Sequence, residues 1–428
     1  MISVEEALDA ILLRIPRLGR ERIHIMGALG RVLAEDIASP RPIPPWPNSA
    51  MDGYAVRAGD VAGASGENPA VLRVVAELQA GFEASRAVGP GEAIRIMTGA
   101  PIPEGADAVV MVELTEGGGE GEVRILQSVP KGEAIRPAAE DVKAGERVFE
   151  AGTRLGPAAI AMLANIGRAQ VSVHQRPRVA ILSTGEELVD LDQEPAIGQI
   201  YNSNSYALAA QVKEAGGEPI LLGIARDNAE DLELRLREGL SADVLLTSGG
   251  VSVGDFDLVK NTLGDLGNEM HFWRVRMKPG KPMAFGTLNG KPVFGLPGNP
   301  VSTMVSFELF VRPSLMKMQG LAGLHRPKVE ARLLHGLKKS PERRHYVRAV
   351  ASYEGGEWTA RAIEAQGSNI IHSMLRANSL IVFPEYETDL PADSRVQVIL
   401  LEEDSALGAQ PVFSGGPGSL VTGAGENG

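Results

Sequence analysis

Between residues 177 and 325, short apolar runs alternate with stretches of helical period. Residues 178–182, 219–224, 243–246 and 293–296 are nearly continuous apolar runs bounded by polar turns. That is the pattern of strands covered on both faces, as in a parallel sheet. Residues 206–215, 229–240, 256–266 and 301–318 carry apolar positions at helical spacing, and Gly216-Gly217 stops the first of them. The alternation predicts an α/β multidomain protein built on a doubly wound parallel sheet.

The flanking patterns differ. Residues 1–15 predict an amphipathic helix with Val4, Ala7, Leu8, Ile11 and Leu12 on one face. Pro40, Pro42, Pro44, Pro45 and Pro47 follow, and such a cluster suits an extended connector and a domain hinge. Residues 71–78, 93–97, 108–112 and 123–126 read as short strands between Gly and Pro turns. Residues 156–167 read as a helix and 170–173 as a strand. These patterns place a β-rich lid domain at 47–145 and a discontinuous helical and mixed linking domain at 1–46 and 146–176. The α/β domain occupies 177–325, and a small β-barrel-like module occupies 326–404. Residues 405–428, rich in Gly and Ser, predict a disordered tail.

Composition narrows the function. The 428 residues exceed what one core organises. No apolar run reaches membrane-span length and the N-terminus lacks a basic-then-apolar leader pattern, so a cytoplasmic protein without membrane association is expected. A net charge of −12 argues against nucleic acid as a partner, while leaving room for a local basic cluster that takes a small anion. With no Cys in the chain, thiolate nucleophiles, disulfides and Cys-metal sites are excluded. Aromatic residues make up only 4%, so stacking is not the main binding device.

In open α/β sheets, ligands bind beyond the carboxyl ends of the strands. Four polar loops fall there: 183–187, 226–227, 248–257 and 297–302. The third follows the strand at 243–246 and holds Ser248, Gly249, Gly250, Ser252 and Gly254, then Asp255 and Asp257. Such a turn brings backbone N–H groups close to an anion without Cβ obstruction. Glu187, Asp227, Asp255 and Asp257 on one rim would repel one another unless a cation such as Mg2+ sat among them, and a salt-bridge network with Arg226 is the alternative. Arg274, Arg276, Lys278 and Lys281 supply positive charge from a loop stiffened by Pro279, Gly280 and Pro282. Asn299-Pro300-Val301-Ser302 opens a helix, and free N–H groups there favour anions. Thr98, in a Gly/Pro-rich loop, and the pair Glu140-Asp141 read by default as an ordinary hairpin and a solvated loop.

Taken together, these segments resemble the molybdopterin molybdenumtransferase family, of the bacterial MoeA type and the gephyrin E-domain. The matching stretches are 48–56, 95–113, 140–141, 183–188, 198–204, 246–257, 277–282 and 296–302, with Arg348 and Gly367-Ser368 in the last module. The resemblance spans about residues 1–403 and implies a sheet domain of the molybdopterin-binding type. It implies an enzyme that takes adenylylated molybdopterin and molybdate, requires Mg2+, releases AMP and places molybdenum on the pterin. It implies Mg2+ at Asp227 and Asp257 with Glu187 assisting. It implies a pterin-phosphate and adenylate seat at Ser248, Gly249, Gly250, Ser252, Asp255 and Lys278, and a molybdate pocket at Lys281, Pro282, Ser302, Arg348 and Ser368. Asp52, Thr98 and Asp141 match further functional positions. The lid of one subunit faces the sheet domain of the other in that family, which implies a homodimer. Molybdopterin adenylyltransferase and recipient molybdoenzymes are implied partners. The alternatives are the adenylyltransferase reaction itself, a tungstate-specific homologue and a non-catalytic scaffold. Asp255, Asn202 and Ala139 depart from the family's usual Glu, Asp and Gly.

Overall fold

The computed structural model describes residues 1–226, 228–250 and 256–401, without the side chains of 256–258 and 260. The chain forms two compact units, Met1–Glu21 with the chain from His174 onward, and Arg22–Val173.

The first unit is organised by a six-stranded sheet. Arg178–Thr184 pairs in parallel with Glu218–Ala225 on one side and with Val244–Ser248 on the other, and Val244–Ser248 pairs in parallel with Lys291–Leu296. The period of two along each strand splits the side chains between two cores. Val179, Ile181, Val244 and Leu246 face one core, with Leu208 and Val212 of helix Ser203–Glu214 and Val301 and Val305 of helix Pro300–Ser306. Ala180, Leu182 and Leu245 face the other, with Leu232 and Leu236 of helix Ala229–Gly239 and Leu263 of helix Phe256–Asp265. Both faces are therefore covered, as the continuous apolar runs predict.

The sheet is not wholly parallel. Pro282–Leu288 and Glu269–Arg274 extend it as an antiparallel edge beside Lys291–Leu296. The reversal lies at Asn289-Gly290, whose φ angles of 51° and 76° suit a two-residue hairpin turn. The helix expected at 301–318 also differs in detail, because Pro300–Ser306 and Arg312–Met318 flank a π-helical turn at Phe307–Val311. Pro313 lacks an N–H for the helical ladder, and a local change of pitch accommodates that. Helix Val4–Arg14, grouped with the linking domain by sequence, buries Val4, Ala7 and Ile11 in the first of the two sheet cores.

The C-terminal module closes into a barrel. Its strands run in the order Arg344–Glu354, Glu357–Ala362, Lys328–Leu333, Arg395–Leu400, Ser379–Phe383, and the last pairs back onto the first. Ala331, Ala349, Ala351 and Ala360 fill a narrow interior beside Leu333, Ile381 and Val398. Met277–Lys278 adds to it in parallel, opposite Arg344 and His345.

The second unit holds a β-rich sheet ordered Ala108–Met111, Gly53–Val56, Glu92–Ile96, Ala70–Leu78, Glu122–Ile125, Thr115–Gly117. A separate cluster of Ile25, Leu33, Ile37, Leu155, Leu163, Val171 and Val173 serves its linking part. Among the described residues no helix is long and apolar enough to cross a membrane.

Candidate active site

Strand Val244–Ser248 is buried along its whole length and ends in Gly249 and Gly250, with φ of 88° and 64°. A Cβ on Gly249 would lie 2.5 Å from the Thr184 carbonyl oxygen, and one on Gly250 would lie 2.6 Å from the Val259 side chain. Both positions therefore require glycine, on grounds of conformation and of space. Asn204 holds the turn in place: its Nδ2 donates to Ser248 Oγ at 2.9 Å and to the Gly298 carbonyl at 2.7 Å. The resemblance covers Asn204 without giving it a role. Asn202 caps the helix behind it, accepting from Ser205 N and Ser183 Oγ, so the neutral amide at this departure is fully used.

The turn opens on a cleft of about 1380 Å³ within the first unit. Glu187, Ser248, Gly249, Gly250, Lys278, Lys281, Pro282, Ser302, Arg348 and Ser368 all line it. The structure thus gathers ten of the expected residues from strand ends, a loop, a helix start and the barrel. Arg226, Lys338, Lys339 and Arg343 line it too, against the carboxylates Glu186 and Glu187. Among the described residues that line it, cations outnumber carboxylates, in a chain that is acidic as a whole.

Arg348 lies on barrel strand Arg344–Glu354 and is 1% exposed. Its Nε donates to Ser373 Oγ at 3.2 Å, and Nη2 donates to the carbonyls of Ala365 and Gly367 at 3.2 and 3.0 Å. No carboxylate pairs with it among the described residues, and burial alone pulls its guanidinium down to about 10. Gln366 locks the segment further, accepting from Arg348 N at 3.1 Å and donating to its carbonyl at 2.9 Å. The Ser368 carbonyl accepts from Val301 N at 3.1 Å, which ties the barrel loop to the start of the helix that bears the buried Ser302.

His345 stands opposite Lys278 in the Met277–Lys278 ladder. Burial, and then the charges of Lys278, Lys339 and Arg343, push its imidazole down to about 4. Its Nε2 is buried without a hydrogen-bond partner. Sequence reasoning passed over His345, Lys339 and Arg343, because nothing along the chain brings them to the lysine loop until Arg344 and His345 pair with Met277 and Lys278.

The remaining expected residues stand apart. Asp227, Ser252 and Asp255 lie outside the described residues, as do the side chain of Asp257 and the expected tail. Asp257 occupies the first turn of helix Phe256–Asp265. Among the described residues no three His, Asp or Glu side chains converge as a metal site. In the second unit, Asp52 Oδ1 accepts from both the N–H and the hydroxyl of Thr98, each at 2.7 Å. These bonds, backbone first, hold the Asp52 carboxyl below its ordinary range. Asp141 is exposed, and its N–H donates to the Ile43 carbonyl at 2.9 Å. Ala139, in the same loop, has a φ of 62°, a left-handed conformation that favours glycine.

A sheet covered by helices on both faces, with a glycine turn and a lysine loop over one cleft at its strand ends, defines a doubly wound α/β class of protein. Comparison with known proteins specifies the family. The MoeA N-terminal region (domains I and II) matches residues 2–167, a probable molybdopterin-binding domain matches 180–317, and the MoeA C-terminal region (domain IV) matches 330–401. The molybdopterin molybdenumtransferase of Nostoc sp. is 40% identical over 94% of both chains. That of Bacillus subtilis is 36% identical over 94% of this chain and 95% of its own. The crystal structure of the molybdopterin biosynthesis MoeA protein from Pyrococcus horikoshii OT3 superposes with a TM-score of 0.79 at 34% identity, covering 94% of this chain and 100% of that one. The chain belongs to the molybdopterin molybdenumtransferase family, and it is an enzyme of that family.

Proposed function

We propose that this enzyme inserts molybdenum from molybdate into adenylylated molybdopterin and releases AMP. The observation that carries the reading is Arg348. A buried guanidinium that no carboxylate among the described residues pairs with, tied through the Ser368 loop to the Ser302 helix, suits a tetrahedral dianion. Lys281 and Pro282 complete that pocket, while the Ser248–Gly250 turn and Lys278 hold the pterin phosphate within the same cleft. Ser252 and Asp255 extend the adenylate contacts.

The carboxylates Asp227 and Asp257, with Glu187 assisting, are hard oxygen donors of the kind Mg2+ prefers, and Cys is absent from the chain. Bound there, Mg2+ would neutralise the phosphate charge. A molybdate oxygen or a water attacks the phosphorus as AMP departs, and the basic residues stabilise the developing charge. The enzyme acts in the cytoplasm as a homodimer. Asp52, Thr98 and Asp141 of one subunit complete the site of the other.

The test is incubation with adenylylated molybdopterin, Mg2+ and molybdate. AMP release that depends on molybdate is expected, and ATP consumption would instead indicate the adenylyl-transfer step. Asp227→Ala should abolish AMP release with the fold intact. Full activity in that variant would remove the Mg2+ assignment.

A further inference from the structure

The described lining of the cleft carries more cations than the oxyanion pocket of Lys281, Ser302, Arg348 and Ser368 uses. Lys278 and Arg343 form no ion pair among the described residues, although both line the cleft. Lys339 donates to the Glu385 carbonyl at 3.1 Å and lies over the Phe383 ring at 4.9 Å from its centre. The Glu385 carboxylate is engaged by Arg344 at 3.0 Å, and Glu387 adds a weaker attraction on Lys339. His345 joins this group through the Lys278 pairing, and its ring meets Phe383 edge-on at 6.4 Å. Lys278, Lys339 and Arg343 all line the cleft around His345, and the Phe383 ring meets both the imidazole and the Lys339 ammonium. They come from two chain segments that only the barrel pairing brings together. Arg348 has a different environment, its guanidinium donating to the Ala365 and Gly367 carbonyls and to Ser373.

We infer that Lys278, Lys339 and Arg343 form a second anion seat at the barrel lip, shaped for a diphosphate-class group and separate from the oxyanion pocket of Arg348, Ser302 and Ser368. Spread cations suit a polyanion better than a single tetrahedron, and the Arg343 fork matches two phosphate oxygens at once. The inference rests on the proposed reading in one respect: the diphosphate is taken to be the one that links the pterin to its nucleotide. In that case the two seats lie in one cleft and hold the two reactants together.

The test uses the full-length protein in EDTA at physiological salt, with inorganic pyrophosphate and molybdate as separate calorimetric probes. Pyrophosphate should bind whether or not molybdate is saturating. The double variant Lys339→Met/Arg343→Gln should weaken pyrophosphate at least about tenfold and leave molybdate within about twofold, since it removes two charge-assisted partners from one seat only. Arg348→Met should do the reverse. Lys339 and Arg343 lie on the barrel rim, and a circular-dichroism melt of the double variant should match wild type. Competition between the two anions, unchanged pyrophosphate affinity in the double variant, or equal loss of both anions would overturn the second seat. If the seat is found while adenylylated molybdopterin is not turned over, the anion inference survives and the proposed function fails.

Discussion

At the scale of single residues, Gly249 and Gly250 carry the sharpest prediction. Adding a methyl group at Gly249 places carbon 2.5 Å from a backbone oxygen at a φ of 88°. The left-handed conformation alone costs an L-residue about 1–2 kcal/mol, and the clash adds to it. Gly249→Ala should therefore lower the unfolding free energy by at least that amount, read as a lower urea midpoint at unchanged m, and weaken phosphate-ligand binding. An unchanged midpoint would mean that the turn yields without cost. Ala139 is the opposite case. It is an L-residue at a φ of 62°, and Ala139→Gly should stabilise the chain by about 0.5–1 kcal/mol, net of glycine's extra unfolded-state entropy. Much of this was legible in the chain. The glycine turn follows an apolar run, and the missing glycine at 139 stands out against the family pattern. Asn204 was not legible, because its value lies in joining Ser248 to Gly298, 50 positions further along the chain.

At the scale of elements, the parallel strands and their helices were readable because each is buried on two faces and written as a continuous apolar run. The antiparallel edge was missed although Asn289-Gly290 is a strong hairpin signal, since Pro282–Leu288 follows a loop read only for its charges. The Arg344–Glu354 strand matters most for chemistry, because it carries both Arg348 and His345. Its pH behaviour follows from His345, whose pKa falls from an ordinary 6.5 to about 4 when folded. The unfolded chain then binds the proton more readily. The contribution to stability is intact above about 6.5 and is lost as pH falls from there toward 4. Lys278, Lys339 and Arg343 set that direction together with burial. Burial depresses His174, His271 and His325 in the same sense, so some acid sensitivity persists without His345. The drop in urea midpoint between pH 7 and pH 4.5 should be smaller in His345→Gln than in wild type. An equal drop would show that this imidazole is not held neutral by its neighbours.

At the scale of the whole molecule, net charge misleads: a chain of −12 builds a recess whose described lining is mainly cationic, because folding collects lysines and arginines from segments more than a hundred residues apart. The sequence motifs were readable as separate strings, and the ten that line the cleft share it through sheet topology and the barrel pairing. Asp52 and Thr98 belong to the other compact unit, where they bond each other tightly. Under the proposed homodimer they act on the partner's cleft, and complementation decides the matter. Asp52→Ala and Arg348→Ala should each be inactive alone. If the two halves of a site come from different subunits, co-expression gives mixed dimers in which one of two sites has both wild-type halves. With random pairing, about a quarter of all sites would then be intact, and AMP release should recover to that level. If Asp52 serves its own subunit's cleft, every site in the mixed dimer carries a lesion and no activity returns. Recovery therefore requires both a dimer and exchange of the lid between subunits, whereas a purely structural role for Asp52 would give a variant that is already active by itself.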